Sequence, residues 1–320
     1  MSEMRYDERD LRILQNSGVF KNDADSIVFA RELEQVKKKT YDQKTAKLNA
    51  LLLFDMSTEV DPGARTVTYR SFGSVGMAKI IANYATDFPR VDIIGEEHTV
   101  KVVGGGAAYG FSVQDQREAA MTGRPLSTMK ATEVRKALDR LVNDVVFKGD
   151  KASGVVGFLD NPNIGSYTVP ADGAKSSTKF KDKTPLQILR DMNDALDSVS
   201  KATHDTENPN TIAMPPEQYN YISATPYSDV VADSILSVFK RNHPDVNVVK
   251  ANELTGAGVG KTDLMLAYVK DADHQTVEIP LPFFQHTVRQ VGLEFEIPCE
   301  VRTAGLLIYY PMSMTKVAGI

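Results

Sequence analysis

Asp61–Gly73 reads DPGARTVTYRSFG. Asp61, Pro62 and Gly63 mark a turn, because proline presets φ and Asp and Gly tolerate tight backbone conformations. The TVTYRSF that follows alternates β-branched and aromatic residues with polar ones, as a strand does. A second run of this kind, TVKVV (99–103), leads into GGGAAYGFSV (104–113). Between them lies a polar excursion, NYATDFPRVDIIGEEH (83–98). Residues 66–118 therefore read as a long two-stranded excursion with a poor core of its own. A lone hairpin is marginal in water, so something else must cover its faces or edges, and another subunit is the natural candidate. The triple glycine Gly104–Gly106 lacks a Gly-x-Gly-x-x-Gly pattern and precedes strand-type residues. It predicts a bulge or a close backbone approach, not a cofactor loop.

Ahead of this stretch the chain is polar. Residues 1–25 mix both charges and suggest a mobile tail. Ser26 is placed to cap a helix with Phe29, Leu33 and Val36 inward. The run VKKKTYDQKTAK (36–47) carries five lysines and one acid. Its plain reading is a solvated face, and the alternative is a contact with nucleic acid.

Beyond it, residues 127–148 form the clearest helix. Ser127 and Thr128 are candidate caps, Val134, Leu138, Leu141 and Val145 share a face, and Gly149 is a stop. At 1.5 Å per residue it is about 30 Å long and would buttress a domain from end to end. GVVGFLDNPNIG (154–165) is a glycine-punctuated turn region. PADGAKSSTKFKDKT (170–184) reads as a polar loop and a domain boundary.

A second unit follows. PLQILRDMNDALDSVSKA is a helix opened by Pro185, with Leu189, Leu196 and Val199 inward. TIAMP is a short buried strand, and Pro215-Pro216 opens the helix PEQYNYI. Ser228 is read as the cap of a helix with Val231, Ile235 and Val238 on one face, ended before Pro244. VNVVKANEL, DLMLAYVKD, TVEIPL and the closing EVRTAGLLIYYPMSMTKVAGI are strand-like.

The 320 residues suffice for two modest domains or one large one, with 42% hydrophobic and 25% charged residues. A net charge of −5 excludes a global basic field of the kind that holds nucleic acid tightly. One cysteine, Cys299, rules out a disulfide framework within the chain and suits a reducing compartment. It reads as a small buried hydrophobe. No apolar run approaches the roughly 20 residues that span a bilayer, and the charged start MSEMRYDERDL is unlike a signal peptide. The expectation is synthesis in the cytoplasm and no membrane partner.

Candidate chemistry is sparse. His98, His204, His243, His274 and His286 show no metal-ligand spacing. Glu96-Glu97 and Asp271/Asp273 are acids in polar surroundings. The remaining candidate is TGAGVGKTD, Thr255–Asp263. Gly260, Lys261 and Thr262 fit the end of a phosphate loop, but Thr255 stands where the first glycine belongs. Such a loop also needs a helix N-terminus directly after it. DLMLAYV is a strand pattern, so the stretch reads as a glycine-rich loop between strands. No catalytic, cofactor-binding or metal-binding residue is assigned, and no cofactor is expected.

The ordered set of segments resembles the major capsid proteins of tailed bacteriophages, the Hong Kong 97-type fold, in the branch close to encapsulin shells. The likeness runs from about residue 50 to the end. It is carried by VDPGARTVTYRSFGSVGMAKIIANYATDFPRVD, GAAYGFSVQDQREAAMTG, ALDRLVNDVVFKGDKASGVVGFLDNPNIG and the closing VRTAGLLIYYPMSMTKVAGI. The resemblance implies an α+β fold in five parts. Residues 1–65 would be an N-terminal arm and 66–118 an extended E-loop lying over a neighbour. Residues 119–184 would be a peripheral domain with a long spine helix, 185–280 an axial α/β domain, and 281–320 the return to the peripheral domain. The implied role is a structural, non-enzymatic protomer of an icosahedral shell, in pentamers and hexamers around double-stranded DNA. Expected partners are copies of itself, weakly and non-specifically bound DNA, and portal, scaffold and decoration proteins. An encapsulin-type compartment enclosing protein cargo is the alternative on the same fold, and a nucleotide hydrolase using 255–262 the alternative from another class. Some relatives join a hairpin lysine to an asparagine near the C-terminus. Lys79 and Lys101 are placed for that, but no Asn or Asp follows Asp273, so no such bond is expected.

Overall fold

The computed structural model describes residues 48–75, 92–122, 126–228 and 233–320. The expected helix after Ser26, the lysine run and Lys79 lie outside these residues, as does Val231.

The described chain opens with a one-turn helix, α1 (Ala50–Leu53), and a short strand, β1 (Asp55–Ser57). Two longer strands, β2 (Thr66–Val75) and β3 (Asp92–Lys101), pair antiparallel over ten residues without a slip, from Thr66 opposite Lys101 to Val75 opposite Asp92. After Val102 the chain enters the body as β4 (Val103–Ser112), which pairs along its whole length with β14 (Glu294–Thr303). Val113–Thr122 then forms helix α2. The two-stranded excursion expected over 66–118 is thus confined to 66–101, and IIGEEH of the "polar excursion" is strand. The reason lies in β4: Ala107, Tyr109 and Phe111 alternate toward the main core, so this segment has a face in that core, whereas the ribbon seats only its base.

Helix α3 (Leu126–Lys148) starts a residue before the expected cap, which puts Ser127 and Thr128 in its first turn. It buries Leu138, Val142, Val145, Val146 and Phe147. Leu141 is half-exposed, not part of that stripe, and serves another purpose. A Cβ built on Gly105 would lie 2.1 Å from Leu141 Cδ2, so the triple glycine lets α3 rest on β4. The ladder there shows no register shift, so close approach rather than a bulge explains the glycines. Gly149 ends the helix at φ +72, where a side chain would strike Val155 O, and the chain turns through a short ladder, β5 (Gly149–Asp150) with β6 (Val155–Val156).

The main core forms under α3. Phe54, Phe147, Phe158 and Tyr268 are buried together, with ring centroids 5.7–6.4 Å apart in the contacting pairs. β14 also pairs with β12 (Leu281–Gln285) and β13 (Arg289–Val291). Cys299 is buried on β14, as its reading required. A small sheet joins β1, β11 (Gln275–Glu278) and β15 (Gly305–Ile308) in that order.

A second core packs helices and a loop on a five-stranded mixed sheet. The strand order is β7 (Gly165–Thr168), β16 (Met314–Ala318), β10 (Leu264–Tyr268), β8 (Thr211–Met214), β9 (Asn247–Lys250). Helix α4 (Pro185–Ala202) buries Ile188, Leu189, Met192, Ala195, Leu196 and Val199, and Thr184 and Gln187 close its start as a capping box. Helix α5 (Pro216–Ala224) follows Pro215. Helix α6 (Ile235–Asn242) is capped by Ser234, which accepts from Ser237 N–H, so Ser228 is not its cap. The 170–184 segment is packed, not a bare linker: Phe180 is fully buried in the second core. Lys183 and Asp191, both 0% exposed in their side chains, form an ion pair. Arg190 ties Asp191 to Asp172, and these two carboxylates raise its pKa.

Candidate assembly surfaces

The base of the ribbon is seated and its far part is not. Val67 is buried with Ala304 and Leu307, and Val60, Tyr69, Val100, Val102 and Tyr309 pack around them. Tyr69 donates its hydroxyl to Ile308 O at 3.1 Å and stacks on His98 at 5.1 Å. Arg302 donates to the carbonyls of Pro62 and Ala64, so the Asp61–Gly63 turn is fixed to the body. Beyond Tyr69 the outer face carries the pair Arg70–Glu97 at 2.8 Å. Phe72 then lies across Gly95, where a Cβ would come within 3.1 Å of the ring. Phe72 is 72% exposed and Ile93 73%, and Ile94 is exposed on the opposite face. Such a cluster is costly in water at about 25 cal/mol per Å² of apolar surface, and apolar patches of this sort mark interaction sites.

A cleft of about 450 Å³ opens beside α3, lined by Leu48, Leu51, Met56, Phe283, Arg135 and Asp139 among others. It is mainly apolar. Burial raises the Asp139 carboxyl pKa, with Arg135 partly opposing the shift. Arg135 also lies over the Phe283 ring at 5.7 Å. Neither feature is legible in the sequence, because residues 48–56, 135–139 and 279–283 meet only in the fold.

Thr255–Asp263 follows β9 and ends directly at β10, as the strand pattern implied. Its backbone donors turn inward: Gly256 N–H to Asp263 Oδ1, Gly258 N–H to Thr262 O, Lys261 N–H to Gly258 O. The Thr262 hydroxyl donates to Val259 O. Gln218 holds the other oxygen of Asp263 at 3.1 Å. These N–H groups are taken within the loop, and a strand follows it where a phosphate loop needs a helix N-terminus. This is not the geometry of a phosphate loop. At its tip Val259 is 93% exposed.

The histidines lie apart. His98 is on the ribbon, His243 bonds Asn193, His274 bonds Glu207, and His286 faces Glu300. Among the described residues no group of three or more His, Cys, Asp or Glu is arranged to hold a metal ion, and no helix is long and apolar enough to cross a membrane.

What the described residues do display is exposed apolar side chains on the ribbon and a mainly apolar cleft beside α3. A family model of major capsid proteins matches residues 76–320. The chain belongs to the major capsid protein family. Solved structures agree on the fold. The capsid of Myoviridae phage XM1 aligns with a TM-score of 0.78 at 18% identity, covering 92% of this capsid protein and 100% of that chain. The capsid of a native GTA particle aligns at 0.64 and 11% identity, over 90% and 96% of the two chains. A virus-like particle from Pyrococcus furiosus aligns at 0.52 and 12%, over 83% and 91%. No curated protein matches the sequence. The capsid protein thus has the α+β, Hong Kong 97-type fold and is a structural protomer of a capsid assembled from copies of itself.

Proposed function

We propose that this protomer forms pentamers and hexamers that close into an icosahedral shell around double-stranded DNA, assembled in the host cytoplasm, with no catalytic role. The observation that carries the reading is the ribbon: ten paired residues per strand, seated at the base, with Phe72, Ile93 and Ile94 open to solvent. Such a surface is stable when a neighbouring copy covers it. In this scheme the chain ahead of Leu48 is the arm and the ribbon at 66–101 the E-loop, while β4, α2 and the rest of 103–184 form the peripheral domain with α3 as spine. Residues 185–280 form the axial domain, and 281–320 return to the peripheral domain. The net charge of −5 suits a wall that DNA must slide past, since affinity grows with the phosphates neutralised. Portal, scaffold and decoration proteins complete the particle.

The test is electron microscopy of purified protein beside the triple variant F72S/I93S/I94S, with nucleic acid and protein content measured in any shells. Closed DNA-bearing shells from the wild type, and soluble folded protomers from the variant, are expected. Shells filled with a protein cargo would move the reading to an encapsulin-type compartment. A wild type that stays monomeric at all salt and protein concentrations would end it.

A further inference from the structure

The one-turn helix α1 is too short to be stable by itself. The side chain of its cap residue Asn49 makes no capping bond within the helix. Side chains from distant parts of the chain close both ends instead. At the start, Asn49 N–H donates to Glu253 Oε1 at 3.1 Å and Asn49 Nδ2 to Glu253 Oε2 at 2.7 Å. Ala50 N–H donates to Asn143 Oδ1 at 3.0 Å, and Asn143 Nδ2 donates to Glu253 Oε1 at 3.1 Å. At the end, the Tyr268 hydroxyl donates to Leu53 O at 2.6 Å and Lys270 Nζ to Leu52 O at 2.7 Å. Asn49 and Asn143 are both buried.

We propose that Asn49, Asn143 and Glu253 are positioning residues that form a clasp, fixing the place where the chain preceding Leu48 leaves the body. The apolar seat of Leu53 and Phe54 holds the segment in the core but does not set the direction of its first residues. The clasp does, because it grips the N–H groups of Asn49 and Ala50, at the helix start where backbone donors lack intrahelical partners. Its selectivity comes from complementarity: one carboxylate at 253 faces neutral N–H donors at 49 and 143. In the capsid reading the chain preceding Leu48 is the arm, and the inference rests on that reading for its purpose, though not for its geometry.

The charge at the clasp can be moved without changing its shape. Asn49→Asp sets two carboxylates face to face. Asn49→Asp with Glu253→Gln restores complementarity. The side-chain amide then present at position 253 can donate to the new carboxylate while its oxygen still accepts from residue 49 N–H and from Asn143. Hydrogen exchange on unassembled full-length protomers reads the amides of residues 49 and 50 directly. The single variant is expected to raise their exchange about tenfold at neutral pH, with protection of Val145–Phe147 unchanged. The double variant is expected to return them to the wild-type rate. The single-variant effect should fade in acid, where the facing carboxylates share a proton. Unchanged exchange in the single variant, or no rescue by the double, overturns the clasp. Loss of protection at Val145–Phe147 in the single variant marks global unfolding, and the rescue then decides the matter. Shell formation, scored separately by microscopy, is expected to fail in the single variant and recover in the double. A wild type that forms no shells counts against the capsid reading and leaves the exchange result standing.

Discussion

The rings of Tyr69 and Tyr309 meet edge to face, with centroids 5.0 Å apart and planes at 87°. One belongs to the ribbon and the other to the body, so this contact and the Tyr69–Ile308 hydrogen bond hold the ribbon's root. Burial raises the pKa of both phenols. Tyr69→Ala is expected to lower stability by about 1–3 kcal/mol, combining lost aromatic contact and burial. Tyr69→Phe, which removes only the hydrogen bond, should cost about 1 kcal/mol. Urea unfolding followed by circular dichroism measures both.

At the buried charge cluster, Asp191→Asn strands Lys183 in a fully buried position, with only Asp172 nearby at 3.6 Å. Removing one partner of a buried pair typically costs about 3–5 kcal/mol. Lys183→Met is expected to cost less, because Arg190 still bonds Asp191. The reverse order in denaturant midpoints would show that the Arg190 bridge does not carry the load assigned to it.

Asp172 gives the pH dependence a defined sign. Its hydrogen bond to Arg190 is the largest cause holding its carboxyl below the usual carboxylate range, with Lys183 adding to it. A depressed folded-state pKa means stability that is present above about pH 4 and is lost as pH falls through the folded value. The stability difference between wild type and Asp172→Asn should therefore be constant above about pH 5 and shrink toward acid. Thermal melts of both proteins from neutral to acid pH measure it.

Because no Asn or Asp follows Asp273, mature particles should run as single chains on a boiled, reducing gel. A ladder of covalent multimers would show crosslinking through some other acceptor.

Local signals in the sequence identify the elements that have their own buried face. Helix α4 shows its apolar stripe and its opening proline, and β8, β10 and β11 are continuous buried runs. Most of strand β3 escapes such a reading because nearly all of it is exposed on both faces, so it carries no inward alternation. The 170–184 segment resembles a linker because Lys183 gains its partner only when α4 brings Asp191 to it. Leu141 falls in the wrong stripe by spacing alone, because its partner, Gly105, is distant in sequence and has no side chain to announce a contact. The clasp is invisible for the same reason: Asn49, Asn143 and Glu253 are separated by about a hundred residues each and are of types mostly found at surfaces.

The ribbon's attachment has a mechanical consequence. Its last firm anchor is Tyr69, and the six residues from there to Val75 extend about 20 Å at 3.3 Å per residue. A turn of only about 10° at that root sweeps the far end through about 3.5 Å, most of one strand spacing. A small angular difference at the fulcrum becomes a large linear one at the tip. In the shell proposed above, that lets one sequence reach neighbours set at several different inclinations without repacking either of its cores.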